Sequence, residues 1–105
     1  MNILPVHEQM SEKDFQAAVV KLAKEFEWIV YHTYDSRKST PGFPDLILIK
    51  GKRMLVIELK TEKGKTTKAQ DEWLDAFGKV ETRHVDVWQP SDNSRIVKML
   101  TGRME

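Results

Sequence analysis

The chain has no cysteine, which excludes a disulfide framework and any thiolate zinc site. That fits a reducing compartment. It has no apolar run near the ~18 residues of a membrane span. Its first residues, MNILPVHEQ, lack a basic segment followed by an apolar one, so no signal peptide is expected. There is no repeat and no low-complexity segment. Excess charge is also missing: the net is +1, and that alone says little about partners.

What is present fits a soluble, cytoplasmic, single-domain protein. The 105 residues allow one domain spanning 1–105, with a core over about 11–100. Forty per cent apolar content, with three Trp, four Phe and two Tyr, can furnish a core. A chain this short buries a modest share of its surface, so it is suited to lean on a second subunit.

Charge is uneven along the chain. Between Lys50 and Lys68 stand seven basic residues (Lys50, Lys52, Arg53, Lys60, Lys63, Lys65 and Lys68) against Glu58 and Glu62. A basic stripe on a near-neutral protein suits a face that meets a polyanion. A solvated, lysine-rich loop would look the same.

Local patterns give the order αβββαβα. Ser11 and Asp14 start a helix over residues 12–26, with Phe15, Ala18, Val19, Leu22, Ala23 and Phe26 at helical spacing. Trp28 to Thr33 is rich in β-branched and aromatic residues and predicts a strand. Asp45–Ile49 and Met54–Lys60 predict two more, joined by a short basic turn. Leu46–Ile49 is apolar on both sides, which predicts a central strand covered on both faces. Thr67 to Gln70 matches a capping box opening a helix over 68–78, in which Trp73 takes a core-type position. His84–Trp88 predicts a fourth strand, and a last helix follows over about 93–100. A strand, a helix and a further strand imply a parallel crossover onto a sheet begun as a meander.

Two acids stand inside this sheet, in GFPDLILIKGKRMLVIELK. If the hairpin is symmetric about Gly51-Lys52, Ile49 faces Met54 and Asp45 faces Glu58 on the same side. Their Cβ atoms would then lie ~4.5–5.5 Å apart. Opposed carboxylates in a partly buried sheet need a shared proton or a cation between them. Carboxylate oxygen suits a hard cation such as Mg²⁺ or Mn²⁺. Lys60, on the same face, could hold a phosphate or orient a water. A structural Lys–Glu–Asp cluster at the sheet rim is the alternative.

Pro44-Asp45 followed by Glu58-Leu59-Lys60 after a hairpin resembles the PD-(D/E)XK nuclease signature. The longer stretch HTYDSRKSTPGFPDLILIKGKRMLVIELKTEKGKTTKAQDEWLDAF, continuing through VDVWQPSD, resembles the small stand-alone VRR-NUC domains of phages and bacteria. The likeness runs from Ser11 to about Leu100. Glu27-Trp28 replaces a Gly-Trp pair common there. The resemblance implies an α/β, restriction-endonuclease-like αβββαβ core, with a mixed four-stranded sheet flanked by helices and a C-terminal helix.

It also implies roles. Asp45 and Glu58 would be metal ligands, completed by the main-chain carbonyl of Leu59, with Glu12 a further candidate near the metal. Lys60 would activate water and stabilise charge, and Gln70 would sit beside the scissile phosphate. Arg37, Lys38, Lys52, Arg53, Lys63, Lys65 and Lys68 would contact DNA, and His32 and Ser36 rank below them. An acid in the first helical turn is favoured by the helix dipole alone, and a Gln70 that only closed its capping box would give the same pattern.

The implied activity is a Mg²⁺-dependent endonuclease, with Mn²⁺ substituting, that leaves a 5′-phosphate and a 3′-hydroxyl. Branched DNA such as four-way junctions and a homodimer are the implied partners, in a bacterial or phage-infected cell. A non-catalytic DNA-binding module of the same fold, or a nuclease acting on linear ends or flaps, remain alternatives.

Overall fold

The computed structural model describes residues 10–33, 40–80 and 84–102. Arg37, Lys38 and Ser36 lie outside these residues. The elements run α1 (Glu12–Glu25), β1 (Ile29–His32), β2 (Leu46–Lys50), β3 (Arg53–Leu59), α2 (Lys68–Gly78), β4 (His84–Trp88), a short 3-10 turn (Pro90–Asp92) and α3 (Asn93–Thr101). The four strands form one sheet in the order β1-β2-β3-β4. The β1–β2 and β2–β3 pairs are antiparallel, and β3–β4 is parallel. This is the expected mixed α/β sheet with a C-terminal helix.

Helix α1 starts where the Ser11 hydroxyl accepts from the Asp14 N–H at 3.1 Å, satisfying one of the donors that a helix start leaves open. It buries Phe15, Val19, Leu22 and Ala23. It ends in a Schellman arrangement: Glu27 N–H donates to Lys24 O, and Trp28 N–H to Ala23 O. Glu27 takes φ 69°, the left-handed conformation that glycine adopts most readily.

The core lies on one side of the sheet. Leu46 and Leu48 of β2, Leu55, Ile57 and Leu59 of β3, and Trp88 of β4 meet α1 and the buried Ile96, Met99 and Leu100 of α3. Each such side chain contributes about 1.5–3 kcal/mol by leaving water. The Trp28 indole N–H donates to Leu100 O at 2.9 Å, tying the start of β1 to the end of α3.

The opposite side is covered unevenly, which corrects the expectation for β2. Leu46 and Leu48 are buried, but Ile47 is half-buried and Ile49 is 41% exposed. It is β3 that is buried on both faces, from Leu55 through Leu59. The cause is the position of α2, which packs against β4 and the loop before β2 and leaves the β1 side open. None of its residues is fully buried. Trp73 is only half-buried: its indole N–H donates to Pro41 O at 3.2 Å, and Phe43 meets its ring edge-on at 5.1 Å.

Candidate active site

The β2–β3 hairpin has the register that symmetry about its turn requires. Ile49 pairs with Met54, Lys50 with Arg53 and Leu46 with Ile57. One further step along this ladder sets Asp45 against Glu58. Both outer members of the constellation lie just beyond strand ends, Asp45 before β2 and Lys60 after β3.

Asp45 is fixed on several sides. Its side-chain Oδ2 accepts the Leu59 N–H at 2.9 Å. Its main-chain oxygen accepts the Thr33 N–H at 2.9 Å, and the Thr33 hydroxyl donates to the preceding carbonyl, Pro44 O, at 2.8 Å. Thr33 thus clamps the peptide that carries the acid. It was not singled out in the sequence, where only a β-branched hydroxyl at a strand end marks it.

Glu58 is the one buried charged residue among those described. Its Oε2 lies 3.4 Å from Lys60 Nζ, with the two side chains 2% and 12% exposed. Its Oε1 is buried with no hydrogen-bond partner. Burial raises the Glu58 pKa from 4.5 to about 8, helped by the neighbouring charge of Asp45, against the pull of Lys60. Glu12 is exposed as a residue but senses the same groups. Partial desolvation raises its pKa, Lys60 lowers it and Asp45 raises it. Glu12, Asp45, Glu58 and Lys60 therefore form one electrostatic group.

Gln70 stands in the first turn of α2. Its Oε1 accepts the Thr67 N–H at 2.8 Å, and Thr67 Oγ1 accepts the Gln70 N–H at 3.2 Å, closing the capping box. The helix start presses on the loop that leads to Asp45, since a Cβ at Gly42 would collide with the Ala69 main chain. With Oε1 engaged, the amide NH₂ is the end of Gln70 suited to an anionic ligand.

The basic residues separate into two groups. Lys63, Lys65 and Lys68 are exposed on the segment that follows Lys60. The hairpin residues lie at the other end of β3, roughly 17 Å from Glu58 at strand rise. Two of them serve the fold. Lys50 Nζ donates to Phe26 O at 2.7 Å, at the end of α1. Arg53 donates to Met99 O at 3.0 Å and stacks 5.0 Å over the Trp28 ring. Only Lys52 of that turn is free of such work and exposed. His32 pairs with Leu46 and so points to the α1 side of the sheet rather than with Ile47 and Val56.

The donor set bears on which ion could fit. Among the described residues no group of three His, Cys, Asp or Glu side chains could hold a metal. Two converging carboxylates, one with an orphaned buried oxygen, fit a hard cation that takes its remaining ligands from water, a main-chain carbonyl and phosphate. The Leu59 main chain is at the site through its N–H bond to Asp45.

The VRR-NUC domain family model matches residues 2–88. The chain belongs to the VRR-NUC domain family. A solved structure titled VRR_NUC domain protein shares its fold, with TM-score 0.68 and 23% identity over 86% of this chain and 86% of that one. None of the curated proteins matches the chain. VRR-NUC membership makes this a nuclease-family domain, with DNA as the partner that follows. Among the described residues no helix is long and apolar enough to cross a membrane.

Proposed function

We propose that this VRR-NUC chain is a Mg²⁺-dependent DNA endonuclease selective for branched substrates such as four-way junctions. The observation that carries the reading is the buried Glu58 carboxyl, one oxygen unpartnered, set against Asp45 with the Lys60 ammonium beside it. Burying the Glu58 carboxyl against Asp45 costs stability, and a bound cation would offset that cost. Asp45, Glu58 and the Leu59 carbonyl would hold the ion, and Mn²⁺ would substitute. A bound ion supplies Lewis-acid charge at the scissile phosphate.

The chain's own residues would do the rest. Leu59 N–H and Thr33 keep Asp45 oriented without substrate, so little reorganisation is needed on binding. Glu58 must lose its proton before it can act as a ligand. Lys60 donates to the phosphate where negative charge grows and orients the attacking water. Glu12 adds an acid at the edge of the site, and Gln70 presents its amide to the phosphate. In-line attack by water leaves a 5′-phosphate and a 3′-hydroxyl. Lys63, Lys65 and Lys68 contact backbone phosphates, with Lys52 as an outlying contact, and such contacts position DNA without reading bases.

Selectivity then comes from DNA shape, and a homodimer would set two such sites against a two-fold symmetric junction. Exposed Ile29 (72%) and Tyr31 (60%) on the uncovered side of the sheet favour a subunit contact. The protein would act in the cytoplasm of a bacterial or phage-infected cell.

Cleavage of an end-labelled four-way junction with Mg²⁺ or Mn²⁺, comparing wild type with Asp45→Ala, tests the reading. Linear and flap duplexes run alongside decide the substrate. Wild-type cleavage that Asp45→Ala abolishes is the expected result. Binding with no cleavage by either protein would identify a non-catalytic module instead.

A further inference from the structure

Gln89 lies one residue past the family match, between the buried Trp88 and the buried Pro90. From just past the end of β4, its side chain reaches the chain that leaves the neighbouring strand β3. The carboxamide Nε2 donates to two successive main-chain oxygens, Thr61 O at 3.2 Å and Glu62 O at 3.1 Å. One residue upstream, the Lys60 N–H donates to Trp88 O at 3.0 Å. Two residues past Gln89, the Ser91 N–H donates to Glu62 Oε2 at 3.1 Å. Residues 60–62 are thus bound to 88–91 by four hydrogen bonds, two of them from one side chain.

Gln89 is itself held. Its N–H donates to Asp92 Oδ2 at 2.8 Å, and Arg95 pairs with the same oxygen at 3.0 Å. Arg95 also pairs with Asp86, which accepts the Trp88 indole N–H at 3.1 Å. The anchor is therefore the corner between β4 and α3, built on a buried tryptophan.

The placement matters because of where β3 stops. Leu59 is its last strand residue, and the chain then leaves the sheet. Lys60 is the first residue beyond, and its flexible stem carries the ammonium that meets Glu58. Upstream, the Leu59 N–H is fixed on Asp45; downstream, both N–H bonds of the Gln89 amide hold the next two carbonyls. An amide NH₂ has two donors, which matches two adjacent acceptors that the ladder no longer serves.

We propose that Gln89 is a positioning residue for the site, fastening the chain just past Lys60 to the β4–α3 corner and so holding the Lys60 ammonium beside Glu58. Its consequence for cleavage rests on the nuclease reading above. Gln89 touches neither phosphate nor ion in this role. A residue needed only to fill space would tolerate methionine, which has similar length and no N–H donors.

The test uses the full chain with Gln89→Met, made in wild type and in Lys60→Met. The expected result is a kcat on junction DNA about tenfold lower with KM within about twofold, as for a displaced catalytic group. In the Lys60→Met background the same change should cost less than about twofold, since its effect passes through the lysine. Equal losses in both backgrounds would overturn the proposal. Hydrogen exchange supplies a readout that needs no activity: the Lys60 amide should lose protection while those of Leu55–Ile57 keep theirs. Unchanged protection at Lys60 would overturn the strap even if cleavage fell. Gln89→Asn, too short to reach both carbonyls, should repeat the result, so that one poorly folded variant does not decide it. If the wild-type protein cleaves nothing, the nuclease reading falls separately, and exchange at Lys60 still decides the role of Gln89.

Discussion

Glu58 meets Asp45 across the end of the β2–β3 ladder, and burial together with that encounter raises the Glu58 pKa to about 8. That shift favours a proton on Glu58 wherever no cation lies between the two acids.

Stability of the metal-free protein should therefore depend on pH in a particular direction. The folded-state pKa lies above the free value of 4.5. Between the two, folded Glu58 keeps a proton that the unfolded chain has released, so stability falls as pH rises from about 4.5 to about 8 and then levels off. The full shift corresponds to at most on the order of 3–5 kcal/mol. Denaturant unfolding at pH 5.5 and 8.5 should show wild type losing stability at the higher pH, with Glu58→Gln losing much less. Equal slopes for the two proteins would remove Glu58 as the source.

Metal binding should run against that proton. Mg²⁺ or Mn²⁺ would stabilise the protein more at pH 8 than at pH 6, because at pH 6 it must first displace the proton. At a hundredfold excess over its Kd the ion should add about 2.7 kcal/mol. Calorimetric titration in two buffers of different ionisation enthalpy should detect protons released below pH 8. Asp45→Asn should abolish the thermal shift produced by Mn²⁺, and a shift of unchanged size would place the ion elsewhere.

The same hairpin shows what could be read from the sequence and what could not. Its register was legible because a short turn leaves one symmetric pairing, and Asp45 opposite Glu58 follows from counting. The Gln70 capping box was legible because caps are local. Coverage of β2 could not be read from the sequence, because an apolar run such as Leu46–Ile49 does not reveal where a later helix lies, and α2 leans toward β4. The hairpin and Lys63–Lys68 adjoin in sequence, but a full strand, β3, separates them in the fold. That Arg53 stacks on Trp28 and bonds Met99 O depends on contacts across distant parts of the chain. Gln89 stood in a recognised stretch, and only its reach to Thr61 and Glu62 gives it meaning.

Lys60 and the lysines that follow it should separate in their effects. If Lys60 donates to the developing charge as proposed, Lys60→Met should lower cleavage by about 10²–10³ with DNA binding little changed. Replacing Lys63, Lys65 and Lys68 together by alanine should do the reverse. Binding should weaken similarly for junctions of different sequence, and the slope of log K against log salt should shrink by about 2–3. Salt titrations of labelled junction binding, read beside single-turnover cleavage, distinguish the two classes. A Lys60→Met protein that cleaves at the wild-type rate would remove the lysine from the chemistry.

A last prediction concerns the fold that carries the site. Glu27 ends α1 at φ 69°, where a side chain costs about 1–2 kcal/mol relative to the right-handed region. Glycine avoids that penalty but has more freedom to lose from the unfolded chain, worth about 0.4–1 kcal/mol. The balance favours Glu27→Gly by about 0.5–1 kcal/mol. Among the described residues no hydrogen bond or ion pair uses the Glu27 side chain, so the exchange should forfeit little else. Thermal unfolding should show a midpoint a few degrees higher, and cleavage should be unchanged because Glu27 lies at the opposite end of α1 from Glu12. A lower midpoint would mean that the glutamate side chain contributes more than its backbone conformation costs.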